Sequence, residues 1–213
     1  MSQPEDVQHP LTDLQGQHVV ATAGGTREPI DPIRFIGNRS SGKMGFALAD
    51  AAHERGARVT LITTVPPPRP EVYDLVQYVE TVAVSDFRVA SPAAHKLKKQ
   101  GQKVILELVE NADFLLELPD TFVKVGFAAE TQDLLEHARQ KLVRKRLAFI
   151  CANDVTAPDA GFGVDTNRIT ILHPTGESEE LPLMSQYAVA HEILTHVVPL
   201  LEGTTGCGGK RRV

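Results

Sequence analysis

The sequence predicts an α/β protein: a three-layer Rossmann-like sheet, mostly parallel, with a small β-hairpin extension. Three observations predict it. Short apolar runs rich in β-branched residues alternate with segments whose apolar residues recur every three to four positions. The joint from the first helical segment to the next apolar run is only a few residues, as in a βαβ unit. Late in the chain, two extended segments are joined through Pro174-Thr175-Gly176, which reads as a hairpin.

Met1 to Gln17 reads as a flexible lead. His18 to Ala23 (HVVATA) is a buried strand that breaks at Gly24-Gly25. GGTREPIDPIRFIGNRSS follows as a long loop. Lys43 to Arg55 is helical, with Met44, Ala47, Leu48, Ala51 and Ala52 on one face. Ser40 or Ser41 can cap its start, and Gly56 stands where a helix ends. Arg58 to Thr64 is a second strand. VPPPRP (65–70) cannot be helical and marks a crossover. Val76 to Glu80 and Lys103 to Val109 are extended, with a basic loop at 92–102 between them. Asn111 to Leu118 is a short helix capped by Asn111. Phe122 to Phe127 is a strand, and Thr131 caps a helix running to Lys145. Ala148 to Ala152 is a buried strand. Arg168 to Leu172 and Leu181 to Leu183 make the hairpin. Tyr187 to Leu201 closes the fold as an amphipathic helix, before a disordered tail. The expected organisation is thus a lead (1–17), one domain (18–202) and a tail (203–213).

Composition narrows the function. A chain of 213 residues with 42% hydrophobic and 23% charged residues suits one globular domain. A formal net charge of -5 argues against a nucleic-acid coat, which needs a basic face. No apolar stretch reaches the roughly 18 residues of a membrane span. Cys151 lies in an apolar run and Cys207 in a Gly-rich tail, so a disulfide framework is not expected and the reading is a cytoplasmic protein.

The stretch GNRSSGKM (37–44) satisfies G-x-x-x-x-G-K, but Met44 stands where a magnesium-binding Ser or Thr belongs. The glycines also lie far beyond the end of the preceding strand. The nucleotide-triphosphate loop reading therefore fails. An anion site of another kind survives, because Asn38, Ser40, Ser41 and Lys43 stand at a helix N-terminus, where unpaired N–H groups and the dipole favour negative charge. The plainer alternative is a serine cap and a solvated lysine.

The first strand ends in GGTREP rather than G-x-G-x-x-G, and no acidic residue ends RVTLITT, so a ribose-binding NAD site is poorly supported. HKLKK (95–99) is either a solvated charge run or a clamp for a triphosphate. Lys141 and Lys145 share a helix face. Asn153-Asp154 ends a buried strand, where ligands of α/β folds sit, or else forms an Asx-turn. The eight histidines are scattered without metal-ligand spacing, so no metal site is expected, and no G-x-S-x-G elbow offers a nucleophile. What remains is activation by positioning and charge.

Taken together, several blocks resemble the phosphopantothenoylcysteine synthetase family, called CoaB in bacteria. They are TAGGTREPIDPIRFIGNRSSGKMGFALADAAHERGARVTLITT, VSDFR followed by HKLKK, VGFAAET, ARQKLVRKRLAFICANDV, and the FGVDTNRITIL stretch. The resemblance runs from about His18 to Leu201. It implies a phosphopantothenate–cysteine ligase that uses CTP and Mg²⁺ to activate 4′-phosphopantothenate as an acyl-cytidylate, which L-cysteine then attacks. It also implies that Asn38 holds the acyl-cytidylate, that Arg34 serves the cysteine-dependent step and that Lys96 serves cytidylate formation. Nucleotide contacts are implied for Asp86, for the turn Ala112-Asp113-Phe114-Leu115, and for Phe127, Lys141 and Lys145. In the family the lysine loop closes a neighbouring subunit's site, which implies a homodimer. Neither a nucleic-acid nor a membrane partner is implied. The flavin-dependent half that many bacterial relatives carry is not among the resembling blocks, so no flavin is expected.

One departure stands out. VQYVET runs straight into VAVSDF, where the family carries a further helix and strand, so the chain reads as shortened between Thr81 and Val82. The rival readings are an NAD(P)-binding Rossmann oxidoreductase and, given the shortening, a non-catalytic dimeric homologue.

Overall fold

The computed structural model describes residues 12–79, 86–99, 101, 103–130, 134–154 and 163–202. The Thr81–Val82 junction, the Thr131 cap, most of the lead and the tail from 203 onward lie outside them. The described elements confirm an α/β fold in which parallel ladders are joined by antiparallel additions.

Strand β1 (His18–Ala23) ends at Gly24, whose φ of 95° only glycine adopts readily. The segment expected to be a loop then forms a short antiparallel ribbon, β2 (Arg27–Pro29) with β3 (Phe35–Gly37). Helix α1 (Lys43–Glu54) follows, then β4 (Arg58–Thr63) and β5 (Leu75–Tyr78). β1 pairs with β4 and β4 with β5, all parallel.

Next come β6 (Phe87–Val89) and β7 (Leu108–Glu110), an antiparallel ribbon. A single helical turn, α2 (Phe114–Glu117), leads to β8 (Val125–Glu130), α3 (Leu134–Arg144) and β9 (Phe149–Asp154). β8 and β9 are parallel. β10 (Thr166–Asn167), β11 (Ile169–Leu172), β12 (Ser178–Glu180) and β13 (Met184–Ser185) add antiparallel strands before α4 (Gln186–Glu202). The expected hairpin through Pro174-Thr175-Gly176 is present as β11 and β12, but its second strand is Ser178–Glu180 and not Leu181–Leu183, because the pairing opposite Leu172 begins directly after the turn. β11 also pairs β9.

Among the described residues, the sheet that the sequence suggested as continuous is divided. One part has the order β1-β4-β5 and the other β12-β11-β9-β8. Two helices cover both. Met44 and Leu48 of α1 pack against two clusters, one with Val19, Ala21, Val59 and Leu61, the other with Phe149, Cys151, Ile169 and Ile171. α4 contributes Ala190 and Leu194 to the first and Val189, Ile193 and Val197 to the second. α3 lies with Ala138 and Leu142 against Ile150, Ala152 and Leu172 of the second part. Among the described residues, three layers are therefore complete only around β8, β9 and β11.

α1 sits close to β1. A Cβ on Gly45 would lie 2.3 Å from the Thr22 carbonyl oxygen. The expected serine cap is not formed. Gly42, left-handed at φ 83°, precedes the helix with no side-chain cap, and the Ser40 hydroxyl accepts from the Gly42 N–H at 3.4 Å. The closeness explains it: a Cβ at Gly42 would meet Gly24 N and the Phe46 ring at 3.0 Å, so the chain enters the helix through glycine. Asn111 likewise does not cap α2. Asp113 occupies that position, without a side-chain cap bond, and Asn111 donates elsewhere.

The lead is pinned at its end. Leu14 is fully buried and its N–H donates to the Arg55 carbonyl at 3.0 Å. Arg55, 1% exposed, donates from Nε to Asp13 Oδ1 at 2.8 Å and from Nη2 to Asp13 Oδ2. Its Nη1 donates to the His191 carbonyl at 2.8 Å and to Thr195 Oγ1 at 3.1 Å. A buried guanidinium is tolerated only when paired in this way. Replacing Asp13 by Asn is expected to lower stability by about 3 kcal/mol, because the charge left behind is buried. Urea unfolding should show a lower midpoint at unchanged slope; an unchanged midpoint would refute the role given to this pair.

Candidate functional site

The loop that leaves β1 is built around close backbone approaches. A Cβ on Gly25 would lie 2.7 Å from Asn38 Oδ1 and 2.9 Å from the Asn38 carbonyl. Glycine there lets the Asn38 loop lie on the strand end. Asn38 Oδ1 accepts from the Ser40 N–H at 3.1 Å, an Asx-turn, and its amide Nδ2 donates to Thr26 Oγ1 at 3.4 Å. The carboxamide is thus held by its oxygen, on an exposed residue, beside the N-terminus of α1. Lys43 is committed: its Nζ donates to Asp165 Oδ1 at 2.7 Å and to the Gly163 carbonyl at 2.8 Å. The Asp165 side chain is 91% exposed, so this pair is weak and can be displaced by an anion.

The β2–β3 turn carries a buried carboxylate that the sequence reading overlooked. Asp31, 3% exposed, accepts from the N–H groups of Ile33 and Arg34 at 2.9 Å and of Leu97 at 3.1 Å. Arg34 donates to it from Nε at 3.0 Å and also from Nη2, which donates in addition to the Leu97 carbonyl at 2.9 Å. The Arg34 hydrogen bond, helped by the three N–H groups, holds the Asp31 carboxyl well below the usual carboxylate range, against the opposing effect of burial. The consequence is positional. The Lys96 loop is clipped to the turn that bears Arg34, and the Ala93 N–H adds a bond to the Ile30 carbonyl at 2.8 Å. Lys96 itself is exposed. The signal in the sequence was Asp31-Pro32, a turn-forming pair three residues before an arginine.

Elsewhere the expected nucleotide residues gather around α2 and α3. Asn111 Nδ2 donates to Glu28 Oε1 at 3.2 Å and the Asn111 N–H to the Asp86 carbonyl at 3.0 Å, which ties this region to the β2–β3 ribbon. Asp86 and Ala112 are exposed. Asp113 pairs with Lys145 at 3.0 Å, both side chains being about one-fifth exposed. Phe114 and Leu115 are half-buried, and Leu115 packs against the α3 cluster. Lys141 lines a shallow pocket with His137, Gln140 and Arg144. Phe127 on β8 is 44% exposed. Lys124, buried at 6%, donates to the Leu115 carbonyl at 3.2 Å and fixes α2 on β8. At the end of β9, the buried Asn153 Oδ1 has no hydrogen-bond partner among the described residues. Cys151 is fully buried, and burial pushes its thiol well above the ordinary range. Among the described residues, no group of three His, Cys, Asp or Glu side chains gathers to hold a metal, and no helix is long and apolar enough to cross a membrane.

The chemistry offered is a neutral amide donor at a helix N-terminus, an arginine and a lysine held on one clip, and, on α3, Lys145 paired with Asp113 and Lys141 in a shallow pocket. This arrangement can bring together two anionic partners without a protein nucleophile.

Comparison with known proteins gives these residues a context. The family described as DNA/pantothenate metabolism flavoprotein C-terminal domain matches residues 14–77 and 70–200. The coenzyme A biosynthesis bifunctional protein CoaBC of Bacillus subtilis is 45% identical over 216 residues, covering 90% of this chain and 53% of that protein. Its Escherichia coli counterpart is 38% identical over 218, covering 89% and 53%. The chain spans about half the length of these relatives. The crystal structure of a CoaBC C-terminal domain superposes with a TM-score of 0.69 at 34% identity, covering 90% of this chain and 99% of that one. A Cab2 mutant in complex with phosphopantothenate-cysteine has a TM-score of 0.67 at 17% identity, a likeness of fold alone. An alignment of 216 positions that uses 90% of 213 residues uses about 192 of them, so about two dozen positions of the Bacillus protein stand opposite no residue here.

The Asp31 clip predicts a pH signature. Because the folded carboxyl is depressed below its unfolded value near 4, its contribution is complete above that value and is lost progressively as pH falls from there toward the folded value. Asp31→Asn should therefore be less stable than the parent at pH 7, with the gap narrowing from pH 5 to pH 3. Urea midpoints of both proteins across this range are the check; a gap independent of pH would remove the assignment.

Proposed function

Because the chain belongs to the family of DNA/pantothenate metabolism flavoprotein C-terminal domains, we propose that it is a phosphopantothenate–cysteine ligase of coenzyme A biosynthesis, acting in the cytoplasm. The observation that carries the proposal is the Asn38 carboxamide, held by Thr26 and Ser40 at the N-terminus of α1 in a chain 45% identical to a CoaBC protein.

In this reading a carboxylate oxygen of 4′-phosphopantothenate attacks the α-phosphorus of CTP. Pyrophosphate leaves and an acyl-cytidylate forms. The amine of L-cysteine then attacks the acyl carbon, loses a proton and displaces CMP, leaving an amide. Both first-step partners are anionic, so the residues' task is to neutralise and orient. Lys96 and Arg34, brought together by the Asp31 clip, are assigned to charge in the first and second steps respectively. Asn38 is assigned to the acyl-phosphate, because its amide donates without adding charge. Lys141, Lys145, Asp86, Phe127 and the Ala112-Asp113-Phe114-Leu115 turn are assigned to the nucleotide. CTP enters as its magnesium complex, so the ion arrives with the substrate. CTP rather than another nucleotide rests on the resemblance to the bacterial synthetases.

A homodimer belongs to this reading. Phe35 and Ile36 on β3, Phe87 on β6 and Ile105 before β7 are 53%, 38%, 51% and 91% exposed. They give the two ribbons an apolar surface for a second copy. The divided sheet favours one other reading, a homologue that keeps the fold without turnover.

The deciding assay is pyrophosphate release from CTP with 4′-phosphopantothenate, followed by addition of cysteine. Release that depends on 4′-phosphopantothenate supports the ligase; none, with CTP still raising the melting temperature, supports the non-catalytic homologue. Within an active protein, Asn38→Asp should retain nucleotide binding but lower amide formation by about 10²–10³, since a charge replaces the donor facing the developing anion. Normal turnover of that variant sinks the assignment of Asn38.

A further inference from the structure

We propose that the Asp165 carboxylate is a placeholder on Lys43 for the phosphate of a ligand, and that residues 163–165 form a strap which the exchange releases. The proposal rests on the reading that a ligand's phosphate reaches the start of α1, beside Asn38, and adds a ligand-driven opening to it.

The ion pair has the character of a temporary partner. The Lys43 ammonium donates to Asp165 Oδ1 at 2.7 Å, with its side chain 42% exposed and that of Asp165 91% exposed. Solvent reaches both groups, so the pair is screened and contributes little to stability. Among the described residues, the Asp165 carboxylate meets the Lys43 ammonium and no amide of the α1 start. A phosphate differs on both counts. It carries about 1.5 to 2 charges at neutral pH against one, which strengthens its attraction to the ammonium at equal distance. At a helix start it also takes the unpaired N–H groups that Asp165 does not use. Such a difference in affinity between two arrangements is what lets a ligand shift one into the other.

The strap follows from the backbone. Three consecutive carbonyls are held by the first residues of two helices. The Gly163 carbonyl accepts from the Lys43 ammonium at 2.8 Å, the Val164 carbonyl from Gln186 Nε2, and the Asp165 carbonyl from the Gln186 N–H at 3.0 Å. Lys43 opens α1 and Gln186 opens α4. At its far end the strap is anchored. Thr166 and Asn167 pair with Ser185 and Met184, and Asn167, 4% exposed, donates from Nδ2 to Met44 Sδ at 4.0 Å. One ammonium therefore supplies both the ion pair and the first carbonyl bond. Its departure leaves residues 163–165 on the Gln186 contacts, with Thr166–Asn167 as the pivot.

A second observation, independent of charge, marks the Gln186 end. Gln186 is 8% exposed, yet its Oε1 is buried with no hydrogen-bond partner among the described residues. A buried acceptor left unmet costs free energy that access to water restores. The closed strap thus keeps one carboxamide half satisfied. Release admits water to Oε1, which offsets the lost bond to Val164. Asp165 is an autoinhibitory contact in this arrangement: it competes with the ligand for Lys43. Removing it acts with a sign opposite to that of removing a structural ion pair.

The test uses the full chain and inorganic pyrophosphate without magnesium, with chloride at matched ionic strength as the control. Calorimetry reads affinity. Hydrogen exchange reads the Gln186 amide, whose acceptor is the strap itself. Pyrophosphate should bind the parent saturably and speed exchange at Gln186 by at least about threefold, where a ligand that merely orders its site slows exchange. Asp165→Asn should bind pyrophosphate about two- to fivefold more tightly, because the competitor for Lys43 is gone. Its Gln186 amide should exchange faster than the parent's before pyrophosphate is added. Lys43→Gln should lose most of the binding and show fast exchange that pyrophosphate leaves unchanged. Equal or weaker binding by Asp165→Asn overturns the placeholder role. Binding by the parent with an unchanged or slower Gln186 amide overturns the strap and leaves the phosphate site standing. Absence of binding by the parent, or binding by Lys43→Gln as tight as the parent's, overturns the proposal together with the phosphate reading of the α1 start. Should Lys43→Gln fail to fold, the comparison of Asp165→Asn with the parent decides alone.

Discussion

The fold depends on one buried guanidinium. Arg55 leaves the last turn of α1, takes both oxygens of Asp13 and donates to the His191 carbonyl and Thr195 on α4. Its own carbonyl receives Leu14. In a continuous sheet, ladder hydrogen bonds would hold the two halves of the core together. Among the described residues the ladder is divided, so the helix pair carries that role, and Arg55 ties the end of α1 to α4. The Tyr187 hydroxyl donates to Glu54 at 2.5 Å further along the same contact, which pushes the phenol up to about 12. Rigidity of α1 reaches the site directly, because its first turn rests on the Thr22–Ala23 backbone through Gly45.

Much of this frame was legible in the sequence, and the reasons are specific. HVVATA, RVTLIT and AFICA are runs of apolar and β-branched residues too short for helices, and they became β1, β4 and β9. The alanine-rich face of residues 44–52 marked α1 because small side chains permit close packing on a sheet. The β2–β3 ribbon stayed hidden: Arg-Glu-Pro and Phe-Ile-Gly do not alternate apolar with polar, and all of β3 is exposed. Cap assignments failed where tertiary closeness overrode local chemistry, as Gly42 shows. The division of the sheet could be suspected from Thr81 and Val82, but not the fact that one helix pair would roof both parts.

At the site, legibility followed chemistry rather than pattern. A motif search points to Lys43, which the structure commits to Asp165. Asn38, a wildcard in that motif, is the side chain held at the helix start. Asp31 has no place in any motif, yet it organises Arg34 and the Lys96 loop at once. Its role arises from burial beside three N–H groups, and burial of a turn residue depends on a loop some 60 residues away, which local sequence does not reveal.

Cys151 acquires a meaning from its surroundings. In the proposed reaction the second substrate is a free amino-thiol and the product is a thiol, so small sulfhydryl compounds would meet the site. Thiol–disulfide exchange runs through thiolate, and burial keeps Cys151 protonated at neutral pH and out of contact with solvent. This core sulfur therefore neither forms mixed disulfides with cysteine nor captures an activated acyl group as a thioester. The strand that ends at Asn153 can border a thiol-handling site without its own sulfur entering the chemistry.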